Sequence, residues 1–261
     1  MNVVLNIAYV GTNYAGWQVQ PNAISVAEEI INAIKKVTGK TVKLNGSGRT
    51  DAGVHAYGQV ANFHIESKIP AEKFAGAINH YLPDDIVINY SYEAEEGFHA
   101  RFDATGKCYE YKVYNSKVPS PFCKDRVWQF TYEVDINKVI SAAKLLEGTH
   151  DFKAFMASGS QVKDTVRTIY SVDVKKDGEM ITITVKGNGF LYNMVRIIVG
   201  NLMYIGCGKM TEDDLLALFE NLDRTTGAVT APACGLYMKE VYYDNGPSFT
   251  EDADDGESAE K

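Results

Sequence analysis

The segment Gly46-Ser47-Gly48-Arg49-Thr50-Asp51-Ala52-Gly53-Val54-His55-Ala56 stands between two predicted strands of the N-terminal half. Its apolar residues follow neither the period of a strand nor that of a helix, so the segment is predicted to be a loop. Its glycines permit a sharp turn, with one residue between Arg49 and Asp51. Taken alone, Arg-x-Asp is typical of a turn with a surface ion pair. The remainder of the chain favours a different interpretation.

Composition sets wide bounds on what this chain can be. Its 261 residues are 45% hydrophobic and 23% charged, which is enough for a sizeable core in one or two domains. The net charge of −8 argues at first against a nucleic-acid partner. However, six acids and one lysine in residues 246–261 account for −5 of it and leave about −3 for the rest. Overall charge therefore decides little.

Several protein classes are disfavoured by what the sequence lacks. The most apolar segment, residues 190–205, is interrupted by Asn193, Arg196 and Asn201, which does not fit a membrane span. The N-terminus has no secretory pattern, so a cytoplasmic protein is expected. The four cysteines are scattered without a Cys-x-x-Cys pair, which predicts free thiols and no zinc site. The same absence argues against a zinc deaminase.

Strands and helices alternate as βαββαβ in the N-terminal half. A helix is predicted between Ser25, which begins a capping box with Glu28, and the stop at Gly39. The other predicted elements are strands over 2–9, 41–45, 59–65 and 86–92 and a helix over 70–81.

The C-terminal half repeats this order with one added helix. Asp135 is predicted to cap a helix that reaches Leu146, and Asp177-Gly178 indicates a hairpin. The other predicted elements are strands over 108–114, near Trp128, and over 167–174, 180–185 and 236–242, with helices over 190–205 and 211–222.

The predicted fold class is α+β, with two ferredoxin-like (βαββαβ) units whose antiparallel sheets form a shared RNA-binding groove. The expected domains are residues 1–101, which carry the Asp51 loop, and residues 102–245. Residues 246–261 form an acidic tail without apolar periodicity, which predicts disorder.

Asp51 is the candidate for chemistry, as a nucleophile, a general base, a metal ligand or only a cap. A metal site needs companion ligands, and only His55 is near in sequence. A nucleophile must stay ionised, and a cation partner would secure that state. Arg196 is the one full charge on an apolar predicted helix, so it is either a surface arginine or the partner of a carboxylate. Tyr109, on a predicted strand, is either core filler or a platform for a base.

The chain resembles the TruA-type tRNA pseudouridine synthase family through several ordered motifs. They are Gly48-Arg49-Thr50-Asp51-Ala52-Gly53-Val54-His55-Ala56, Tyr9-x-Gly11, Tyr14-x-Gly16-Trp17-Gln18-x-Gln20, Phe98-His99-Ala100-Arg101-Phe102, Lys107-Cys108-Tyr109-x-Tyr111, Met194-Val195-Arg196-Ile197-Ile198-Val199-Gly200 and Gly235-Leu236-Tyr237. The resemblance spans nearly the whole chain except the tail. Departures at Tyr192-Asn193 and Ile197 adjoin Arg196 without replacing it.

The resemblance implies an isomerase that uses no cofactor or metal, forms a homodimer and modifies uridines at positions 38 to 40 in the anticodon arm of tRNA. It further implies that Asp51 is catalytic, that Tyr109 packs on the target base, that Arg196 pairs with Asp51 and that Arg49 displaces the uridine.

Further substrate contacts are predicted from the chemistry. The freed uracil must be retained in a closed pocket, which Tyr109 and Leu236 are expected to supply. Phosphate contacts are expected from basic residues lining the groove. The candidates are Arg101, Lys107, Lys112, Arg126 and Arg167.

Two other functions remain open from the sequence. One is a non-catalytic RNA-binding module in which Arg49-x-Asp51 is a structured turn. The other is a metal-dependent phosphoesterase that uses Asp51 and His55, which the missing companion acids disfavour. Nor does the sequence tell whether Asp51 would attack C1′ or act by another route.

Overall fold

The computed structural model describes residues 1–159 and 162–244. The strands in this part of the chain are β1 (Asn2–Tyr9), β2 (Asn45–Gly46), β3 (His55–His64), β4 (Ile86–Ala94), β5 (Ala104–Asn115), β6 (Trp128–Phe130), β7 (Gly148–Asp151), β8 (Val166–Asp177), β9 (Met180–Gly187) and β10 (Leu236–Tyr243). The α-helices are α1 (Val26–Thr38), α2 (Phe74–Asn79), α3 (Ile136–Lys144), α4 (Met194–Gly206) and α5 (Glu212–Asn221). The predicted α+β class is confirmed.

All ten strands belong to one sheet, in the order β4-β1-β3-β10-β5-β9-β8-β7, with β2 on β3 and β6 on β5. In each half the first strand of the predicted unit lies between its third and fourth strands, which is compatible with two βαββαβ units. The two halves meet where β3 and β10 run parallel, with His55 opposite Tyr237 and Ala56 opposite Met238. The sheets of the two halves therefore join edge to edge.

Local capping signals explain where the helices begin. Ser25 Oγ accepts a hydrogen bond from the Glu28 amide at the start of α1, and Gly39 ends that helix with φ +73°. Asp135 caps α3 by accepting from the Asn137 amide. Thr211 begins α5 with a full capping box. These helix boundaries agree with the sequence signals to within about two residues.

Other boundaries differ from the prediction. Helix α4 begins at Met194 rather than at residue 190, because Asn193 adopts a left-handed conformation with φ +61°. The predicted helix over 70–81 is a 3-10 turn followed by the six residues of α2. The predicted strand over 41–45 shrinks to β2, and the short edge strand β7 was not predicted. The predicted tail, residues 246–261, lies outside the described residues.

The core is continuous through the two halves. Apolar side chains from the strands and from α1, α3 and α4 form one buried cluster that includes Leu5, Phe63, Tyr111 and Ile198. None of the helices in residues 1–159 and 162–244 combines the length and apolarity needed to cross a membrane.

Candidate active site

The loop that carries Asp51 is fastened from the N-terminal half. Thr50 O accepts from the Trp17 amide at 3.0 Å, and its hydroxyl lies 2.7 Å from the hydroxyl of Tyr9. The Gln59 side-chain amide donates to Gly48 O at 2.9 Å. Gly16 has φ +94°, and a Cβ there would lie 2.5 Å from Thr50 O. The glycine-rich segment after β1 therefore supports this loop by close backbone contact.

His55 ends the loop and connects it to both halves. The ring is fully buried, its Nδ1 accepts from the Gly11 amide at 3.0 Å, and its Nε2 lies 3.1 Å from Cys234 O. Because Nδ1 accepts, the proton is on Nε2, which donates to Cys234 O. Burial lowers the pKa of His55. The imidazole is thus a neutral structural connection, and both nitrogens are engaged.

The hydrogen bonds of both His55 ring nitrogens argue against the metal-dependent phosphoesterase. His55 has no ring nitrogen left to bind a metal beside Asp51. In the described ranges, no three His, Cys, Asp or Glu side chains lie together in a way that would hold a metal ion.

Asp51 lies beside Arg196 across the boundary between the halves. Arg196 Nη1 is 3.5 Å from Asp51 Oδ2. The guanidinium is independently held, because Nε donates to Ala231 O at 2.7 Å and Nη1 donates to Asn193 Oδ1 at 2.8 Å. Burial raises the pKa of Asp51, and the positive charge of Arg196 opposes this increase. The site therefore contains a partly desolvated carboxylate beside a fixed cation.

Asn193 contributes to the site, a role that neither its departure from the family pattern nor its place in the apolar segment predicts. Its left-handed backbone directs the amide oxygen to Arg196 at the start of α4. Asparagine tolerates this conformation better than most residues, which is the one local signal that the sequence offered.

Arg49 and Tyr109, the other two candidates of the site, differ in their exposure to solvent. Arg49 is exposed, and no salt bridge joins it to Asp51 within the part of the chain that the structure describes, so the turn with its own ion pair is not observed. Tyr109 is 8% exposed and contacts Phe190 edge to face at 5.1 Å. Burial raises the pKa of the Tyr109 hydroxyl, and the nearby groups Tyr9 and Asp51 add to the increase. The tyrosine therefore lies close to the carboxylate.

Leu236, Arg101 and Arg167, the other predicted contacts, lie on separate segments of the chain. Leu236 is buried at the start of β10, opposite Tyr111. Arg101 is exposed, with its guanidinium over the ring of Phe102 at 5.9 Å. The Arg167 guanidinium donates to two backbone oxygens of its own segment, at residues 164 and 166. Among the described residues, no hydrogen bond or salt bridge joins Arg101 or Arg167 to Asp51.

Comparison with known proteins decides the family. A family model described as tRNA pseudouridine synthase matches residues 6–103 and 142–244, which include Asp51, Arg196 and most of the sheet. The chain belongs to the tRNA pseudouridine synthase family. The resemblance seen in the sequence motifs is confirmed, and the family is one of isomerases.

Curated relatives agree over nearly their whole length. The tRNA pseudouridine synthase A of Ruminiclostridium cellulolyticum is 51% identical over 240 residues, which cover 92% of this chain and 98% of the relative. The proteins of the same name from Acetivibrio thermocellus and Thermoanaerobacter sp. (strain X514) are 49% and 48% identical over 242 residues, covering 93% of this chain and 99% of each relative.

Proposed function

We propose that this member of the tRNA pseudouridine synthase family isomerises uridine to pseudouridine at positions 38 to 40 of the tRNA anticodon arm, with Asp51 as the catalytic carboxylate. The observation that carries the assignment of Asp51 is its pairing with Arg196 at 3.5 Å beside the buried ring of Tyr109. No other carboxylate in the described residues forms an ion pair between the N-terminal loop and α4.

The reaction breaks the bond between N1 and C1′, turns the uracil and joins C5 to C1′. N1 gains a proton and C5 loses one, so the reaction needs no oxidant or reductant. A carboxylate next to C1′ can stabilise positive charge there, attack C1′ or remove a nearby proton. Each of these roles requires Asp51 to be ionised, and Arg196 favours that form.

The residues around Asp51 are proposed to hold the uracil in the site after its bond to C1′ breaks. Tyr109 and Leu236 are proposed to enclose the uracil while it turns, with Phe190 supporting the tyrosine ring. Arg49 is exposed on the loop that carries Asp51, and it is proposed to take the place of the uridine when it leaves its stack, which costs a few kcal/mol. Arg101 and Arg167 are proposed to contact the RNA backbone.

The cellular compartment, the oligomeric state and the division into two units are also proposals. The enzyme is expected to act in the cytoplasm as a homodimer on tRNA. Residues 1–101 are proposed to form the unit that carries Asp51, and residues 102–245 the unit that carries Tyr109 and Arg196.

The test is conversion of a defined substrate. A tRNA transcript with unmodified uridines at positions 38 to 40 is incubated with the protein, and pseudouridine is mapped by chemical derivatisation and reverse transcription. We expect new pseudouridine at one or more of these positions. Tight tRNA binding without any conversion would support the RNA-binding module instead, and conversion only elsewhere in the tRNA would contradict the assigned positions.

A further inference from the structure

Asn201 is a fully buried amide on α4 that the proposed chemistry leaves unused. Its neighbours along the helix, including Val199, Leu202 and Met203, are apolar and buried. Burial of an amide is unfavourable unless its polar atoms form hydrogen bonds. The partners of Asn201 therefore indicate its role.

Both polar ends of this amide bind backbone groups. Asn201 Oδ1 accepts from the Ala228 amide at 3.0 Å, and Asn201 Nδ2 donates to Ile197 O at 2.8 Å. Ile197 belongs to the same helix, whereas Ala228 lies 27 residues further along the chain, in the segment before β10. The side chain therefore ties this segment to α4.

The segment 227–232 runs along α4 in the direction opposite to the helix. From Arg196 to Asn201 on α4, the contacted residue of the segment changes from Ala231 back to Ala228. The Ala231 amide donates to Arg196 O at 3.1 Å, and Ala231 O accepts from Arg196 Nε at 2.7 Å. The segment therefore connects the buried amide to the guanidinium of the site.

Ala231 lies between two side-chain anchors of this segment. Asn201 holds Ala228 on one side, and the Tyr111 hydroxyl donates to Pro232 O at 2.7 Å on the other. Ala231 itself is fully buried. Loss of the Asn201 anchor should therefore loosen the Ala231 carbonyl without detaching the segment.

We propose that Asn201 is a positioning residue for the isomerisation. It seats the segment 227–232 on α4 and so fixes Ala231 O, the acceptor that orients the Arg196 guanidinium. Through Arg196 it keeps the positive charge beside Asp51. This proposal rests on the proposed function, because it takes Asp51 as the catalytic carboxylate.

The pKa of Asp51 reports whether Arg196 is in place. Burial raises this pKa, and the charge of Arg196 opposes the increase. In the part of the chain that the structure describes, Arg196 is held by the segment 227–232. The other titratable side chains around the loop are Arg49 on the loop itself, His55 on β3, Tyr9 on β1, and Lys107 and Tyr109 on β5.

The first test measures the pKa of Asp51 without substrate. Protein labelled with carbon-13 at the aspartate carboxyl is titrated by NMR from pH 4 to pH 9, and the Asp51 signal is assigned by its loss in Asp51→Asn. Asn201→Leu keeps the approximate size of the side chain and removes both hydrogen bonds. It should raise the pKa of Asp51 by about half as much as Arg196→Gln does.

Two further variants at the same position accompany the leucine. Asn201→Ala removes the same two hydrogen bonds without a new side chain, so it should raise the pKa of Asp51 too. Asn201→Thr has a hydroxyl that can accept from the Ala228 amide and donate to Ile197 O, and it should return the pKa toward the wild-type value. An unchanged pKa in the folded alanine and leucine variants would overturn the proposal.

Asn79→Leu is the matched control for a general loss of stability. Asn79, on α2, also binds backbone at both ends, donating to Ile88 O at 2.9 Å and accepting from the Ile88 amide at 2.8 Å. This control should lower the midpoint of urea unfolding and leave the pKa of Asp51 unchanged. An equal increase of the pKa in Asn79→Leu and Asn201→Leu would contradict a specific role for Asn201.

Dependence on Arg196 is the second test. If Asn201 acts through the guanidinium, Asn201→Leu should not raise the pKa of Asp51 further in a protein that already carries Arg196→Gln. A further increase of the full size in the double variant would overturn the proposal.

Turnover separates this proposal from the proposed function. Asn201→Leu should lower kcat/KM for pseudouridine formation about threefold on the acid limb and leave the plateau at higher pH nearly unchanged. A pKa that depends on Asn201 in a protein that forms no pseudouridine would overturn the proposed function alone. Conversion of uridine with a pKa of Asp51 that ignores Asn201 would overturn the positioning role alone.

Discussion

The protonation of Asp51 is controlled by two opposing effects. Burial raises its pKa, and Arg196 lowers it. The arginine does not depend on Asp51 for its position, because Ala231 and Asn193 already hold it. At the scale of the residue, Arg196 is therefore a preformed positive charge that favours the ionised form of a partly desolvated carboxylate.

Arg196→Gln should move the acid limb of the pH–rate profile to higher pH. In the proposed mechanism activity requires ionised Asp51, so it is expected to fall as the pH decreases through the pKa of this carboxyl. Because that pKa is already raised, removal of the opposing charge raises it further. An increase of about one in this pKa lowers the rate on the acid limb about tenfold. The measurement is kcat/KM for pseudouridine formation from pH 5 to pH 9.

Arg196→Lys is the matched control for this experiment. Lysine keeps the charge and cannot reproduce the geometry of the three hydrogen bonds that the guanidinium donates to Ala231, Asn193 and Asp51. We expect its acid limb to lie between those of the wild type and Arg196→Gln. An acid limb that is the same in all three proteins would show that Arg196 does not control Asp51.

At the scale of the element, α4 is positioned by close backbone packing. Gly200 faces the segment before β10, and a Cβ there would lie 1.9 Å from Val229 O. Two residues further, the Ala231 amide donates to Arg196 O at 3.1 Å, and Ala231 O accepts from the guanidinium. The glycine therefore allows the contact that orients Arg196.

Gly200→Ala should impair stability and activity together. The added methyl group must displace the segment at residues 229–231, which destabilises the fold by about 1–3 kcal/mol and moves the acceptor of Arg196. Chemical denaturation measures the first effect and the rate of pseudouridine formation the second.

Gly76→Ala, in α2, is the control, because a Cβ there meets no atom within 4 Å. This change should stabilise the protein by about 0.4–1 kcal/mol without loss of activity. Equal effects of the two substitutions would refute the packing argument.

Local signals predicted the elements that depend on local chemistry. Ser25, Gly39, Asp135 and Thr211 mark helix boundaries in the sequence, and the structure uses them. The predicted start of α4 at residue 190 is wrong, because a run of apolar residues does not reveal the left-handed backbone of Asn193. Strand β7 was missed because its Gly-Thr-His-Asp sequence lacks apolar alternation and pairs only at the edge of the sheet.

At the site, too, the sequence predicts what local motifs encode and does not predict contacts between residues far apart in the chain. The motifs identified Asp51, Arg196 and Tyr109, and the structure brings them together. The acceptor at Cys234 for His55 and the acceptor at Ser47 for Lys107 join residues that are 179 and 60 positions apart. No spacing rule predicts such pairs from one sequence. The catalytic and binding roles of these residues stay predictions.

At the scale of the whole molecule, the two halves share one sheet and one apolar core. The parallel contact of β3 with β10, the hydrogen bond from His55 Nε2 to Cys234 O and the pair of Asp51 with Arg196 all cross between them. The site depends on this junction, because neither half contains both members of the ion pair.

A shared sheet predicts cooperative unfolding. The two tryptophans of the chain report on different halves, with Trp17 beside the Asp51 loop and Trp128 on β6. In Trp17→Phe and in Trp128→Phe, the remaining fluorescence and the far-UV circular dichroism should give the same midpoint in urea. Midpoints that differ between the two probes within one variant would indicate halves that unfold independently.

The central claim is that Asp51 performs the chemistry, and its most direct test is release of tritium from tRNA labelled at C5 of uridine. Asp51→Asn keeps the size of the side chain and removes its charge. It is expected to retain tRNA binding and the far-UV circular dichroism of the wild type. Its tritium release should fall to background at every pH from 5 to 9. Tritium release by Asp51→Asn at the rate of the wild type would contradict the account.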